Sequence, residues 1–331
     1  AASGLSAQYW KLRLYLKALP LLKKQGWNAQ QLMDSYFHSE KLKLVFTSIL
    51  ADFFTPTTEF PGLGVFAVNP EASFDKRMPA ELAKDTVQLY HYSILGGMGT
   101  LVDALVSKIE SHGGQILTGR EVTSIRVEGG RVTGIEDVSG TRIPADAVVA
   151  SGGVRETFLG LVGEEHLPLE FADHVRAVPL MDSVFMVHLG VDFDPSPHVH
   201  GVCTYYYGTY ELDRALAENK AGLYHEGRDG YVVHIPSLHS PEMAPEGHQA
   251  MTIYTICPDT LQEGSWEQRK EEYADKLIDY AAEQIPGLRE HIQTCEILTP
   301  EDWRARTHLE HHAFGGIKPV LDAWRVPHET P

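Results

Sequence analysis

Leu95-Gly-Gly-Met-Gly-Thr100 opens the stretch whose reading decides the fold. It continues through Leu101–His112, Gly113-Gly114-Gln115-Ile116-Leu117 and Val122–Val138 to Ala145-Asp-Ala-Val-Val-Ala-Ser151-Gly152-Gly153. Leu101, Leu105, Val106 and Ile109 recur at helical spacing, with Thr100 as the expected cap and Gly113-Gly114 as the stop. Gln115–Leu117 reads as a short strand. Val122–Glu128 alternates, and Gly129-Gly130 supplies the positive φ angles of a tight hairpin turn into Arg131–Val138. Ala147–Ala150 is a continuous apolar run of the kind buried in a parallel sheet. This order is that of the middle of a dinucleotide-binding domain. Gly96-Gly97-Met98-Gly99 would join a strand to a helix N-terminus, where N–H groups and the positive dipole end suit an anion. Glycine turns before helices are common and most bind nothing, so the inference rests on the whole order. Residues 1–94 carry only Gly4, Gly26, Gly62 and Gly64, with no Gly-x-Gly-x-x-Gly loop to cradle a pyrophosphate.

Outward from this unit the patterns change. Residues 5–52 read as helical, broken at Pro20 and near Gly26-Trp27-Asn28, with Asn28 capping Ala29–Phe37 and Ser39 capping Glu40–Ala51. Phe53–Pro79 is rich in proline, glycine and aromatics and reads as an irregular lining segment; Tyr90–Leu95 reads as a strand. Beyond Phe171, Asp182–Val191, Tyr231–Ile235 and His248–Ile256 read as strands. Trp266–Gln284 reads as an amphipathic helix carrying Tyr273, Leu277, Ile278 and Ala281 on its apolar side. The expected class is α/β, a mixed α+β fold. Residues 1–92 would be the helical part of a substrate domain and 93–160 the middle of a Rossmann-like cofactor domain. Residues 161–298 would return to the substrate domain, and 299–331 towards the cofactor domain.

Composition narrows the function. The chain has 331 residues, enough for about two domains, with 43% hydrophobic and 22% charged residues. A net charge of −17 argues against a nucleic-acid partner. Cys203, Cys257 and Cys295 are odd in number and far apart, which suits buried thiols in a reducing, cytoplasmic compartment. No apolar run is long enough to span a bilayer. The first acidic residue is Asp34, whereas Lys11, Arg13, Lys17, Lys23 and Lys24 precede it among Tyr9, Trp10, Leu12, Leu14, Leu16 and Leu19. Such a helix can lie at a membrane surface. It can equally be a packed helix with a solvated basic face.

Four groups of residues resemble the phytoene desaturase and carotenoid isomerase group of FAD-dependent oxidoreductases, relatives of the flavin amine oxidases. They are Gly96–Leu105 with Gly113–Ile116; Glu121-Val122 through Gly130-Arg131-Val132 to Ala145–Ser151 and Leu161-Val162-Gly163; Ile235–Ser237 with Ser240-Pro241 and Ala244–His248; and Thr299–Asp302 with His311–Gly316. The resemblance spans residues 90–320 in the family's order. It implies FAD as cofactor, in a fold where cofactor and substrate domains interleave. By the same analogy Val122 would meet the adenine through its main chain, and Ser151, Gly152 and Gly153 would lie near the ribose or pyrophosphate. Gly96, Gly97 and Met98 would approach the isoalloxazine. His311, His312, Phe314, Gly315 and Gly316 would line the substrate tunnel. Lacking the N-terminal glycine loop and the closing glycine-rich segment, this chain by itself is expected to hold FAD weakly or not at all, and to be inactive alone.

The implied activity is desaturation, saturation or isomerisation of a long apolar isoprenoid or polyene. A flavin amine oxidase acting on a polar amine, and a non-catalytic binding protein that has lost the cofactor ends, stay open. His308 and His312 stand four apart, but the His-Glu-x-x-His order is absent and Gly315-Gly316 opposes a continued helix, so no metal is expected. Tyr205-Tyr206-Tyr207 with Tyr210 reads either as a channel lining or as a strand with tyrosines on alternating faces. No Gly-x-Ser-x-Gly elbow is present, and no side-chain acid or base is assigned.

Overall fold

The computed structural model describes residues 4–69, 93–309 and 316–320. Helix α1 (Gly4–Leu22) runs through Pro20 rather than breaking there. Proline removes only its own N–H bond, and this one lies in the last turn. The chain does turn at Gly26–Asn28. Asn28 then caps α2 (Ala29–Asp34) in a reciprocal box, its Oδ1 accepting from Gln31 N at 2.8 Å while Gln31 Oε1 accepts from Asn28 N at 3.0 Å. Ser39 precedes α3 (Glu40–Thr47) without a side-chain bond, and the expected helix to Ala51 tightens into a 3₁₀ segment, Ser48–Phe53. The short α4 spans Gly64–Val68.

Helix α5 (Met98–Ser111) begins two residues before the expected cap. Gly97, not Thr100, stands at its N-cap. Ser93–Leu95 forms no strand, and Tyr90–Tyr92 lie outside the described residues. The hairpin is as read: β1 (Val122–Glu128) pairs antiparallel with β2 (Arg131–Asp137), and Gly129 and Gly130 turn it at φ 58° and 74°. Strand β3 (Arg142–Pro144) adds a third member. Gln115–Leu117 and Ala147–Ala150, however, form no strand among the described residues, and Val149 is 97% exposed. An apolar run becomes a buried strand only between neighbours, and the described residues place none beside these two. The apolar side of α5 is likewise open, with Leu101, Val102, Leu105 and Ile109 all exposed.

The π-helical segment Glu156–Gly163 and α6 (Leu169–Ala177) lead to a second sheet of five strands in the order β5-β6-β7-β4-β8. Its members are β4 (Ser183–Val191), β5 (Cys203–Tyr207), β6 (Gly230–His234), β7 (Gln249–Cys257) and β8 (Ile292–Leu298), and every neighbouring pair is antiparallel. Strands present alternate side chains to opposite faces. Phe185, Val187, Leu189 and Val191 therefore share one face with Val233, Met251 and Ile253, and α8 (Trp266–Gln284) covers it with Trp266, Tyr273, Leu277, Ile278 and Ala281. Fully burying a Leu, Ile or Phe side chain is worth about 1.5–3 kcal/mol, so this cluster is the main store of cohesion. The boundaries of α8 match those read from the sequence. Helix α7 (Leu212–Lys220) and the N-terminal helices cover part of the opposite face, where Leu32, Leu50, Phe60, Leu212 and Leu216 cluster. Helix α9 (Pro300–Thr307) follows β8 behind a second reciprocal cap, Thr299 with Asp302. Of the three thiols only Cys257 is buried; Cys203 and Cys295 are exposed, because both fall at outer positions of their strands.

Asp137 fastens the small sheet. Its carboxylate accepts from Ser139 Oγ, from Arg120 Nη1 at 2.8 Å and from the main chain of Thr141 and Ser139, which together hold its pKa down at about 2. A depressed carboxyl stabilises the fold above its ordinary value of 3.8 and loses that contribution as pH falls towards about 2. Amide exchange in β1–β3 is expected to accelerate through that window, and Asp137→Asn is expected to flatten the dependence; an unchanged profile in the variant would count against the role given to Asp137.

Candidate functional site

Ser151, Gly152 and Gly153 share a cavity with Gly316. They line one cavity of about 430 Å³, together with Glu156, Leu309 and Ile317. The strand-like segment 316–318 is docked by Met181 N to Gly316 O at 3.2 Å, by Lys318 N to Pro179 O at 2.8 Å and by a bridge between Leu180 and Ile317. Lys318 is buried, with its ammonium 3.6 Å from Glu59. Glycine at 153 is a matter of space, since a Cβ there would stand 1.9 Å from Glu156 Oε2 and 2.7 Å from Leu309 Cδ2. Among the described residues no lysine or arginine lines this cavity. The neighbouring Arg155 is committed elsewhere, donating to the carbonyls of Arg176 and Val178 at 2.8 Å each.

Gly96, Gly97 and Met98 lie apart from that corner. Gly96 and Gly97 take φ of 79° and 81°, where an L side chain is strained by about 1–2 kcal/mol. Gly96 N donates to Ser240 Oγ at 3.1 Å, and a Cβ on Gly97 would stand 3.0 Å from Met243 Cε. The glycine loop thus rests on the turn that precedes β7, whereas the cavity lies by Leu180, just before β4. Because β4 and β7 are antiparallel and pair Ser183 with Cys257 and Val191 with Gln249, these two places lie off opposite ends of the same strands. Val122 is the first residue of β1, at the small sheet. His311, His312, Phe314 and Gly315 lie outside the described residues.

Between the two corners stands the outer face of the five-stranded sheet, which the sequence reading left unassigned apart from its tyrosines. The registers set its side chains in transverse rows. One row is Tyr205, Val232, Tyr254, Met186 and Leu298, and the next is Cys203, His234, Thr252, His188 and Glu296. The first row is apolar and aromatic. Phe54, Met181, Val184, Ile256 and Trp303 extend it into a cluster. Tyr205 and Tyr207 stack at 6.1 Å on this face, while Tyr206 stacks at 5.0 Å on Tyr231 across the other, which is the strand with tyrosines on alternating faces. The second row is polar, with His188 Nδ1 2.8 Å from Thr252 Oγ1. Burial pulls the pKa of both His188 and His234 down, so they stand as neutral imidazoles near pH 7. The period-two pattern of Val184–Val191, interrupted at His188, was the available sequence signal for this row.

Comparison with known proteins fits this geometry. Residues 8–326 match the family described as flavin containing amine oxidoreductase. The chain belongs to that family. That family is one of flavin-containing oxidoreductases. A rat protein, pyridine nucleotide-disulfide oxidoreductase domain-containing protein 2, is 30% identical over 292 residues, 82% of this chain and 48% of that protein. A lycopene-forming phytoene desaturase of Paracoccus sp. is 28% identical over 237 residues, 70% of this chain and 47% of the desaturase. The chain thus spans about half the length of these relatives. In fold it is similar to the crystal structure of an oxidoreductase from Methanosarcina mazei, with a TM-score of 0.61 at 18% identity, covering 97% of this chain and 65% of that one.

Does the cavity at Gly152 and Gly153 fit a part of FAD? It fits a hydroxyl-bearing part. Main chain without Cβ atoms permits close approach, and the Glu156 carboxylate and the Ser151 and Thr307 hydroxyls suit sugar or ribityl hydroxyls. A carboxylate without a lining cation opposes a pyrophosphate. The α5 N-terminus behind Gly96 and Gly97 offers free N–H groups without competing side-chain caps. Gly153→Val in the full-length protein should lower FAD affinity roughly tenfold, the worth of ~1–3 kcal/mol of overpacking. Flavin absorbance per protein against added FAD measures it, with circular dichroism unchanged; full retention of FAD would remove this cavity from the cofactor site.

Proposed function

We propose that the protein is an FAD-dependent oxidoreductase acting on a long apolar isoprenoid or polyene. The aromatic row on the outer sheet face carries the reading. Tyr205, Val232, Tyr254, Met186 and Leu298 make a wall five strands wide, which a hydrocarbon chain can cover without losing a hydrogen bond. The likeness to a phytoene desaturase supports it. A bound flavin supplies the two-electron chemistry. What these residues contribute is position and dryness: Phe54, Trp303 and Ile256 exclude water from the wall, and the neutral imidazoles of His188 and His234 border it without adding charge. Gly96, Gly97, Ser151, Gly152, Gly153 and Gly316 are the main-chain surfaces proposed to receive the cofactor.

An apolar substrate also needs a route from a bilayer, and we assign that contact to α1. Tyr9, Leu12, Tyr15, Leu16, Leu19 and Leu22 are all exposed, forming one apolar stripe flanked by the exposed Lys11 and Lys17. Lys24 does not join them, since its ammonium lies over Trp27 and Tyr36 and donates to Ser35 at 2.8 Å. No described helix is long and apolar enough to cross a membrane.

Anaerobically, the full-length flavoprotein should lose its oxidised flavin absorbance with phytoene or a related polyene and keep it with a small diamine. The reverse pattern would replace this reading. It should also bind anionic liposomes more tightly than neutral ones, each cation contributing about 1 kcal/mol at low salt. Lys11→Gln with Lys17→Gln should reduce turnover of membrane-delivered substrate more than of detergent-dispersed substrate; equal losses would return α1 to an ordinary packed element.

A further inference from the structure

Asp52 faces the aromatic row from the opposite layer. It stands in the 3₁₀ segment just before Phe54, whose left-handed φ of 50° is held by burial against Met181 and Val184. Asp52 Oδ2 accepts from the Tyr205 hydroxyl at 2.7 Å, and among the described residues no lysine, arginine or histidine pairs with it. Beside it lies a cavity of about 40 Å³ lined by Tyr207, Val232, Tyr254 and Ile256, with glycine at position 230. At about 10–15 Å³ per water, that is room for about three heavy atoms.

This is a poor place for a hydrocarbon alone. A carboxyl group beside aliphatic and aromatic carbon loses water and gains nothing in return. It is an equally poor place for a charge. Burial pushes the Asp52 carboxyl up, opposed by the Tyr205 hydrogen bond, and burial also pushes Tyr207 up to about 12 and Tyr254 higher still. The tyrosines around the cavity are therefore O–H donors and acceptors, and Asp229, 3.9 Å from Arg214, is the second carboxyl group on its lining.

We propose that Asp52 and Tyr205 form a binding site for a hydroxyl group at the end of an otherwise apolar ligand. One carboxyl oxygen is engaged by Tyr205; the other is left to exchange a hydrogen bond with the ligand oxygen, the cavity receiving the hydroxyl end while the carbon chain displaces the cover that Phe54 and Trp303 now give the aromatic row. The inference rests on the reading of that row as the substrate wall, and narrows the substrate from a plain polyene to an oxygenated one.

The test uses the full-length protein and three probes of one skeleton: farnesol, farnesene and farnesylamine, with binding followed by tryptophan fluorescence. Farnesol should bind at least about tenfold more tightly than farnesene, the worth of one or two buried hydrogen bonds. Asp52→Leu should abolish that ratio, Tyr205→Phe should reduce it, and Asp52→Asn, which keeps a donor and an acceptor, should retain it. Equal binding of farnesol and farnesene, or a ratio that survives Asp52→Leu, overturns the hydroxyl site while leaving the wall in place. Farnesylamine binding more tightly than farnesol overturns it in favour of a cation site. Failure of all three probes to bind overturns the wall itself, and the hydroxyl site with it.

Discussion

The strict alternation of side chains along β4 and β7 is the constraint on which everything else depends. Because each strand can give only every second residue to α8, the residues between are committed to the other face. Phe185, Val187, Leu189 and Val191 fill the core, and Val184, Met186 and His188 are thereby delivered to the wall. The core fixes the position of the site residues without touching them. The pairing of Tyr205, Val232, Tyr254 and Met186 across four strands then gives the wall its width.

Much of this was legible in the sequence where the signal is local. The Gly129-Gly130 turn, the Asn28 cap and the span of α8 depend on residues a few positions apart, and those readings agree with the structure. Ala147–Ala150 and Gln115–Leu117 were misread because an apolar run carries no information about whether a neighbour exists to pair with it. Thr100 was misread as a cap because two glycines with positive φ can start a helix without a side-chain acceptor. Likeness to a flavoprotein family named the glycines at 152, 153 and 316 but not the cavity they share, which depends on segment 316–318 returning to Pro179–Met181. Asp52 was invisible for a similar reason. Its partner lies 153 residues away, and an aspartate in a helical stretch has no local mark of burial.

The two glycine corners and the wall divide the labour by chemistry. Main chain stripped of side chains lines the Gly152–Gly153 cavity, while hydrocarbon and ring faces line the outer face of the sheet. The row Cys203, His234, Thr252, His188 and Glu296 separates the wall from the turn at Ser240–Met243, against which Gly96 and Gly97 rest. A ligand spanning the sheet would cross from an apolar lane to a polar one within a single step of two residues.

The pairing of β4 with β7 has a further consequence for how such a wall can diversify. The two strands match residue for residue from Ser183–Cys257 to Val191–Gln249, without a bulge. An insertion or deletion of one residue in either would exchange the parity of every position beyond it, turning core outward and wall inward at once. The outer face of β4, β6 and β7 can therefore change character only by substitution at their even positions. Tolerance to length variation is left to connections that carry no sheet register, such as the turn between α7 and β6.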